Sequence, residues 1–182
     1  MIKLKDMISR SLFVESKKLR IFDFDDTLVK TTSFIYITHS DGKKSKLTPG
    51  QYAIYNERPG DVYDFRDFES VKNPEEITKI TNVLRNIIRV SGGDGVYILT
   101  ARAAYEPIKK YLKDIGINSN KVVVVALGSN NPKDKADWIE SKIDNDGYDD
   151  IYFADDSEKN VEAAKQMLRR KNVRWRVQQI KH

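Results

Sequence analysis

Apolar residues recur along this chain in two alternating rhythms. The first 17 residues read as a basic amphipathic helix over 3–16, with Ile2, Leu4, Ile8, Leu12 and Phe13 as its apolar positions. Residues 18–24 read as a first strand. After an irregular stretch, the spacing of Ile77, Ile80, Leu84, Ile87 and Ile88 predicts a helix over 74–90, with Pro74 in its first turn and Gly92-Gly93-Asp94-Gly95 beyond its end. Then Val96-Tyr-Ile-Leu99 predicts a strand and 103–115 a helix closed by Gly116. Lys121–Leu127, a continuous apolar run, predicts a strand buried on both faces. A helix over 133–143, a strand over Asp150–Ala154, a helix over 157–171 and a strand over Val173–Ile180 complete the pattern.

Strand and helix alternate throughout the second half. That alternation predicts an α/β domain over 18–182: an open, doubly wound, mostly parallel sheet with right-handed crossovers. Between the first strand and the first long helix lies an insert at about 31–70. Within it a hairpin is expected, running from Phe34–Thr38 through a turn at Ser40-Asp41-Gly42 and back through Lys46-Leu47. Thr48-Pro49-Gly50 reads as a helix start.

A chain of 182 residues can bury one sizeable core. No apolar stretch approaches the roughly 18 residues of a membrane span, so no membrane partner is expected. The opening Met-Ile-Lys-Leu-Lys-Asp-Met carries charges where a secretory signal would be apolar, which makes a cytoplasmic location the expectation. Cysteine is absent and the only histidines are His39 and His182, which excludes disulfides, thiolate sites and His-rich zinc clusters. Chemistry is left to carboxylates, lysines, hydroxyls and a hard metal. The net charge of +5 would suit an anionic partner, but charge alone favours the plainer reading of a merely basic protein.

In open α/β sheets, ligands bind beyond the carboxyl ends of the strands. The strands here end in Asp23-Phe24-Asp25-Asp26-Thr27, in Thr100-Ala101-Arg102, in Gly128-Ser129-Asn130-Asn131 and in Asp155-Asp156-Ser157. Several carboxylates in one crevice repel one another. A hard dication such as magnesium, bound through oxygen, offsets that repulsion. Beside it an Asp can attack phosphorus and a second Asp two residues on can move the proton. A hydroxyl and a lysine, Thr100 and one of the lysines at 133–135, can hold the phosphoryl oxygens.

In this order and placement the residues resemble the haloacid dehalogenase superfamily of phosphohydrolases. The resemblance rests on Ile21-Phe22-Asp23-Phe24-Asp25-Asp26-Thr27-Leu28, on Val96-Tyr-Ile-Leu-Thr100, on Lys135 with Lys133 as the alternative, and on Ile151-Tyr-Phe-Ala-Asp155-Asp156. It implies a Rossmann-like core with a small cap built from the insert. It implies that Asp23 becomes a transient aspartyl-phosphate and that Asp25 is the general acid and base. Magnesium would be held by Asp23, Asp25 through its backbone carbonyl, Asp155 and Asp156. Thr100, Ala101 and Lys135 would bind the phosphoryl group.

Plainer readings stand beside these. Asp155-Asp156-Ser157 also fits a helix N-cap, Lys135 a solvated helix lysine, and Thr100 a strand-end hydroxyl. Arg102 either touches substrate or caps the helix that follows it. The insert's aromatic residues, interleaved with Lys43, Lys44, Lys46, Arg58 and Arg66, either stack bases or pack the insert's own small core. The expected substrate is a nucleotide or a nucleic-acid terminal phosphate. A small phosphorylated metabolite, or binding without catalysis, is the alternative.

Overall fold

The computed structural model describes residues 15–181. In chain order the elements are β1 (Lys18–Phe22), β2 (Val29–Lys30), β3 (Ile35–Thr38), β4 (Lys44–Leu47), α1 (Pro49–Ile54), β5 (Val62–Asp64), β6 (Glu75–Glu76), α2 (Thr78–Ser91), β7 (Val96–Thr100), α3 (Glu106–Asp114), β8 (Val123–Ala126), α4 (Pro132–Asp146), β9 (Asp150–Asp155), α5 (Glu158–Leu168) and β10 (Arg174–Gln179). The helix expected over 3–16 falls almost wholly outside the described residues, and 15–17 carry no regular structure.

Five strands form one parallel sheet in the order β10-β9-β1-β7-β8. Side chains alternate across it. Phe22, Val96 and Ile98 pack under α2 and α3 with Leu84, Ile108 and Leu112. Leu19, Ile21 and Phe153 pack on the other face with Ile139 and Leu168 of α4 and α5. The sheet is therefore covered on both faces, as the alternation of elements predicts. From β1 the chain moves outward through β7 to β8, returns across the sheet through α4, and moves outward again through β9 to β10. Strand order reverses beside β1, so the crevice between the ends of β1 and β9 is where a ligand site belongs.

Local signals set most helix ends. Asn131 caps α4 by accepting the Lys133 N–H at 3.0 Å, and Gly147 closes it in the left-handed conformation. Pro107 in the first turn of α3 fixes its start at Glu106, later than expected, leaving residues 101–105 as a loop.

Two expectations need correction. The helix predicted from 74 begins at Thr78, because Glu75–Glu76 pair antiparallel with Val29–Lys30 and the Ile77 N–H donates to the Leu28 carbonyl at 3.0 Å. The strand predicted as buried on both faces is β8 at the sheet edge. It has one neighbour, and Val123 is 52% exposed.

The insert leaves and re-enters through the β2–β6 pair. Its hairpin forms with Ile35 opposite Leu47, and β5 adds a third strand that the sequence pattern does not signal. Thr48 and Gln51 make a reciprocal capping box on α1. Ile35, Ile37 and Tyr52 form the insert's own core with Tyr55, Tyr63 and Phe68. Asp67 is buried beneath it and accepts the Phe34 N–H and the Tyr36 hydroxyl, each at 3.1 Å, while pairing with Lys72. Among the described residues no helix is long and apolar enough to cross a membrane.

Candidate active site

The first strand delivers Asp23 to the crevice directly. Its backbone N–H donates to the Ala154 carbonyl at 2.8 Å, which ties the tip of β1 to the tip of β9. Asp155, the last residue of β9, is fully buried beside it. Lys135 comes from the first turn of α4 and reaches both. Its Nζ donates to Asp23 Oδ1 at 2.6 Å and to Asp155 Oδ2 at 2.8 Å. Lys133 lies on the exposed side of the same turn and pairs with Asp137, so of the two candidate lysines only Lys135 enters the site.

A buried carboxylate needs donors. Asp155 Oδ1 accepts the Ser157 N–H at 2.9 Å, and the Asn160 side-chain amide donates to both its oxygens at 3.0 and 3.1 Å. Asn160 was not anticipated from sequence. Its signal is weak: a polar residue in the first turn of the helix that follows the paired acids. Thr27 holds the other acid of the pair. Its Oγ1 accepts the Asp156 N–H at 3.1 Å and donates to Asp156 Oδ1 at 3.4 Å. Asp26, between Asp25 and Thr27, sits in the turn after β1 with a left-handed φ of 55°.

Asp23, Asp155 and Asp156 each offer a carboxylate oxygen within 4.8 Å of the others, a group that could bind a metal ion. The donors are all oxygen and two of the three residues are buried, which suits a hard dication. The Asp25 side chain is not in this group. Electrostatics register the crowding. Burial pushes the Asp23 carboxyl well above its ordinary range against the pull of Lys135, and the charges of Asp155 and Asp156 add to the rise. Burial, followed by the charges of Asp155 and Asp26, pushes Asp156 up to about 7. Burial alone would lower Lys135, but Asp155 and Asp23 outweigh it and hold the ammonium charged.

Arg102 does not cap the helix that follows it; it borders the cavity and pairs with a carboxylate there. Its side chain is buried, with Nε donating to Asp25 Oδ2 and Nη2 to Asp25 Oδ1, each at 2.8 Å. Nη1 donates to the carbonyls of Phe68 and Ser70 in the insert, at 3.2 and 2.9 Å. The guanidinium lies over the Phe68 ring, 4.8 Å from its centre, and near Phe24. Thr100 is buried at the end of β7, where its Oγ1 accepts the Arg102 N–H at 3.2 Å.

These groups open on one cavity of about 1030 Å³ between the sheet edge and the insert. Asp23, Asp25, Thr100, Ala101, Lys135 and Asp156 line its floor, and Tyr52, Tyr63, Phe65 and Phe68 its roof. The insert's aromatic residues pack mainly on one another, as the plainer reading expects, yet the same rings face the cavity. Lys43, Lys44, Lys46 and Arg58 do not border it. No protein-family model matches this chain, and no curated protein and no solved structure matches it either.

Proposed function

We propose that this chain is a magnesium-dependent phosphomonoester hydrolase of the haloacid dehalogenase type, with the insert as its cap. Its substrate is a nucleotide or a nucleic-acid terminal phosphate. The observation that carries the reading is Lys135 Nζ lying between Asp23 and Asp155 at the ends of adjacent strands. A buried ammonium there aligns the Asp23 carboxylate and meets an incoming phosphoryl oxygen with positive charge.

In the first step an Asp23 oxygen attacks phosphorus and the bond from phosphorus to the leaving oxygen breaks. Asp25 gives a proton to that oxygen. The phosphoryl group then resides on Asp23. In the second step Asp25 takes a proton from water, the oxygen of that water attacks phosphorus, and the bond from phosphorus to Asp23 breaks. Phosphate leaves and both carboxyls return to their starting state. Thr100 Oγ1 and Lys135 hold the phosphoryl oxygens throughout. Arg102 holds Asp25 in one orientation through both steps. Magnesium, held by Asp23, Asp155 and Asp156, would supply further positive charge to offset the phosphoryl oxygens.

The test is a panel of phosphomonoesters with magnesium, run beside Asp23→Asn. The expected result is turnover that Asp23→Asn abolishes and that EDTA removes reversibly. Turnover that survives either treatment overturns the mechanism.

A further inference from the structure

The roof of the cavity differs in chemistry from its floor. Tyr52 and Phe65 meet edge to face with ring centres 5.5 Å apart, Phe65 and Phe68 likewise at 6.1 Å, and Tyr52 and Tyr63 are tilted against each other at 6.1 Å. Phe65 is 45% exposed although it lies in this cluster. Two exposed carboxylates, Glu57 and Glu69, complete the rim, and neither is ion-paired among the described residues. Among the described residues, every cation that borders the cavity is already engaged: Arg66 with Asp64, Arg102 with Asp25, and Lys135 with Asp23 and Asp155.

Resting on the phosphatase reading, we infer that the leaving group is a flat, uncharged aromatic group carrying N–H donors, and that a substrate with a second phosphate is disfavoured. A nucleoside fits this description, and a nucleic-acid end does not. A flat ring laid against these aromatic side chains gains stacking. The carboxylates of Glu57, which accepts the Tyr52 hydroxyl through one oxygen, and of Glu69 keep lone pairs that accept from ring or exocyclic N–H groups. A phosphodiester chain would bring further negative charges against the same two carboxylates with no unpaired cation to receive them. Magnesium at Asp23, Asp155 and Asp156 leaves the charges of Glu57 and Glu69 in place. The cavity volume of about 1030 Å³ far exceeds what a phosphoryl group needs.

The test compares, with magnesium, nucleoside 5′-monophosphates, ribose 5-phosphate, nucleoside 3′,5′-bisphosphates, phosphorylated oligonucleotides and p-nitrophenyl phosphate. The nucleoside monophosphates are expected to exceed ribose 5-phosphate, the bisphosphates and the oligonucleotides about tenfold or more in kcat/KM. Phe65→Ala is expected to bring the ratio of nucleoside monophosphate to ribose 5-phosphate close to one. Glu69→Lys is expected to raise the bisphosphate and oligonucleotide rates toward the monophosphate rate. Ribose 5-phosphate or an oligonucleotide end matching the nucleoside monophosphates overturns the inference, as does a ratio that Phe65→Ala leaves intact. Equilibrium binding of the same compounds to Asp23→Asn gives a readout that does not need turnover. Preferential nucleoside monophosphate binding with no turnover by the unaltered protein upholds the pocket assignment and overturns the phosphatase reading. Equal binding of ribose 5-phosphate overturns the pocket assignment alone.

Discussion

Arg102 grips Asp25 with a two-pronged hydrogen bond, although the two residues lie on different strand ends. A bidentate guanidinium fixes a carboxylate in orientation as well as in position. Lysine offers a point charge and cannot reproduce that fork. Arg102→Lys is therefore expected to lower kcat about 100-fold, the scale of loss that a misplacement of about 1 Å costs. The check is a double-mutant cycle on p-nitrophenyl phosphate. If Arg102 acts through Asp25, then in an Asp25→Asn background Arg102→Lys changes kcat less than about twofold. Multiplicative losses would show that Arg102 acts by another route.

Among the described residues, Lys135 is the only ammonium between two buried carboxylates in the site. Removing one member of a buried ionic group leaves uncompensated charge, at a cost of about 3–5 kcal/mol. Lys135→Met is expected to lose that much stability in urea unfolding in EDTA, to recover part of it with magnesium, and to lose turnover about 100-fold or more. Lys133→Ala is expected to change neither measurably, because Lys133 and Asp137 form an exposed pair on one helix face.

Asp156 gives a pH prediction with a definite sign. Its folded-state carboxyl titrates near 7, above the ordinary 3.8. In the metal-free protein its contribution to stability is fully present below 3.8 and is lost as pH rises through 7. A cation needs the ionised carboxylate, so under the proposed function magnesium binding is expected to release this proton. Magnesium affinity is expected to rise with pH up to about 7 and to flatten above it. Thermal unfolding with and without magnesium should show a larger stabilisation at pH 8 than at pH 6. Asp156→Asn should shrink the difference, and what is left reports Asp23, whose carboxyl is also raised by burial.

Gly95 sits at the start of β7 with φ +66°, and an added Cβ would lie 2.1 Å from the Lys18 carbonyl oxygen. Gly95→Ala combines left-handed strain with a collision against the backbone of β1. The expected loss is about 3 kcal/mol or more in denaturant unfolding. Gly92, also left-handed, has open space around it, and Gly92→Ala is expected to cost about 1–2 kcal/mol.

The strand-tip residues were legible because each is a polar break at the end of an apolar run. Asp23, Thr100 and Asp155 follow Phe22, Leu99 and Ala154 without a gap, and a parallel sheet aligns such ends of its own accord. Lys135 was separable from Lys133 only by helical spacing, and the structure puts Lys135 on the inner side. The pairing of Arg102 with Asp25 was not legible. It depends on the loop from 101 to 105 and on two carbonyls of the insert, and neither has a periodic signature. The start of α2 was misjudged because Glu75 and Glu76 suit a helix locally and become strand through pairing with Val29 and Lys30. The edge position of β8 was hidden for a similar reason. An apolar run reports burial propensity and says nothing of how many neighbours a strand receives.

Lys30 and Glu75 are register partners, so the chain departs from the sheet domain and rejoins it at adjacent points. A short turn could close that gap, which makes residues 31–74 an exchangeable cassette. Lengthening or replacing such a cassette adds little closure entropy. Any replacement must still present two carbonyl oxygens to Arg102, as Phe68 and Ser70 do. It must also supply an apolar residue where Val71 packs on the sheet core; within those constraints, the roof over the crevice is free to diversify in descendants or in the laboratory while the carboxylates beneath stay where they are.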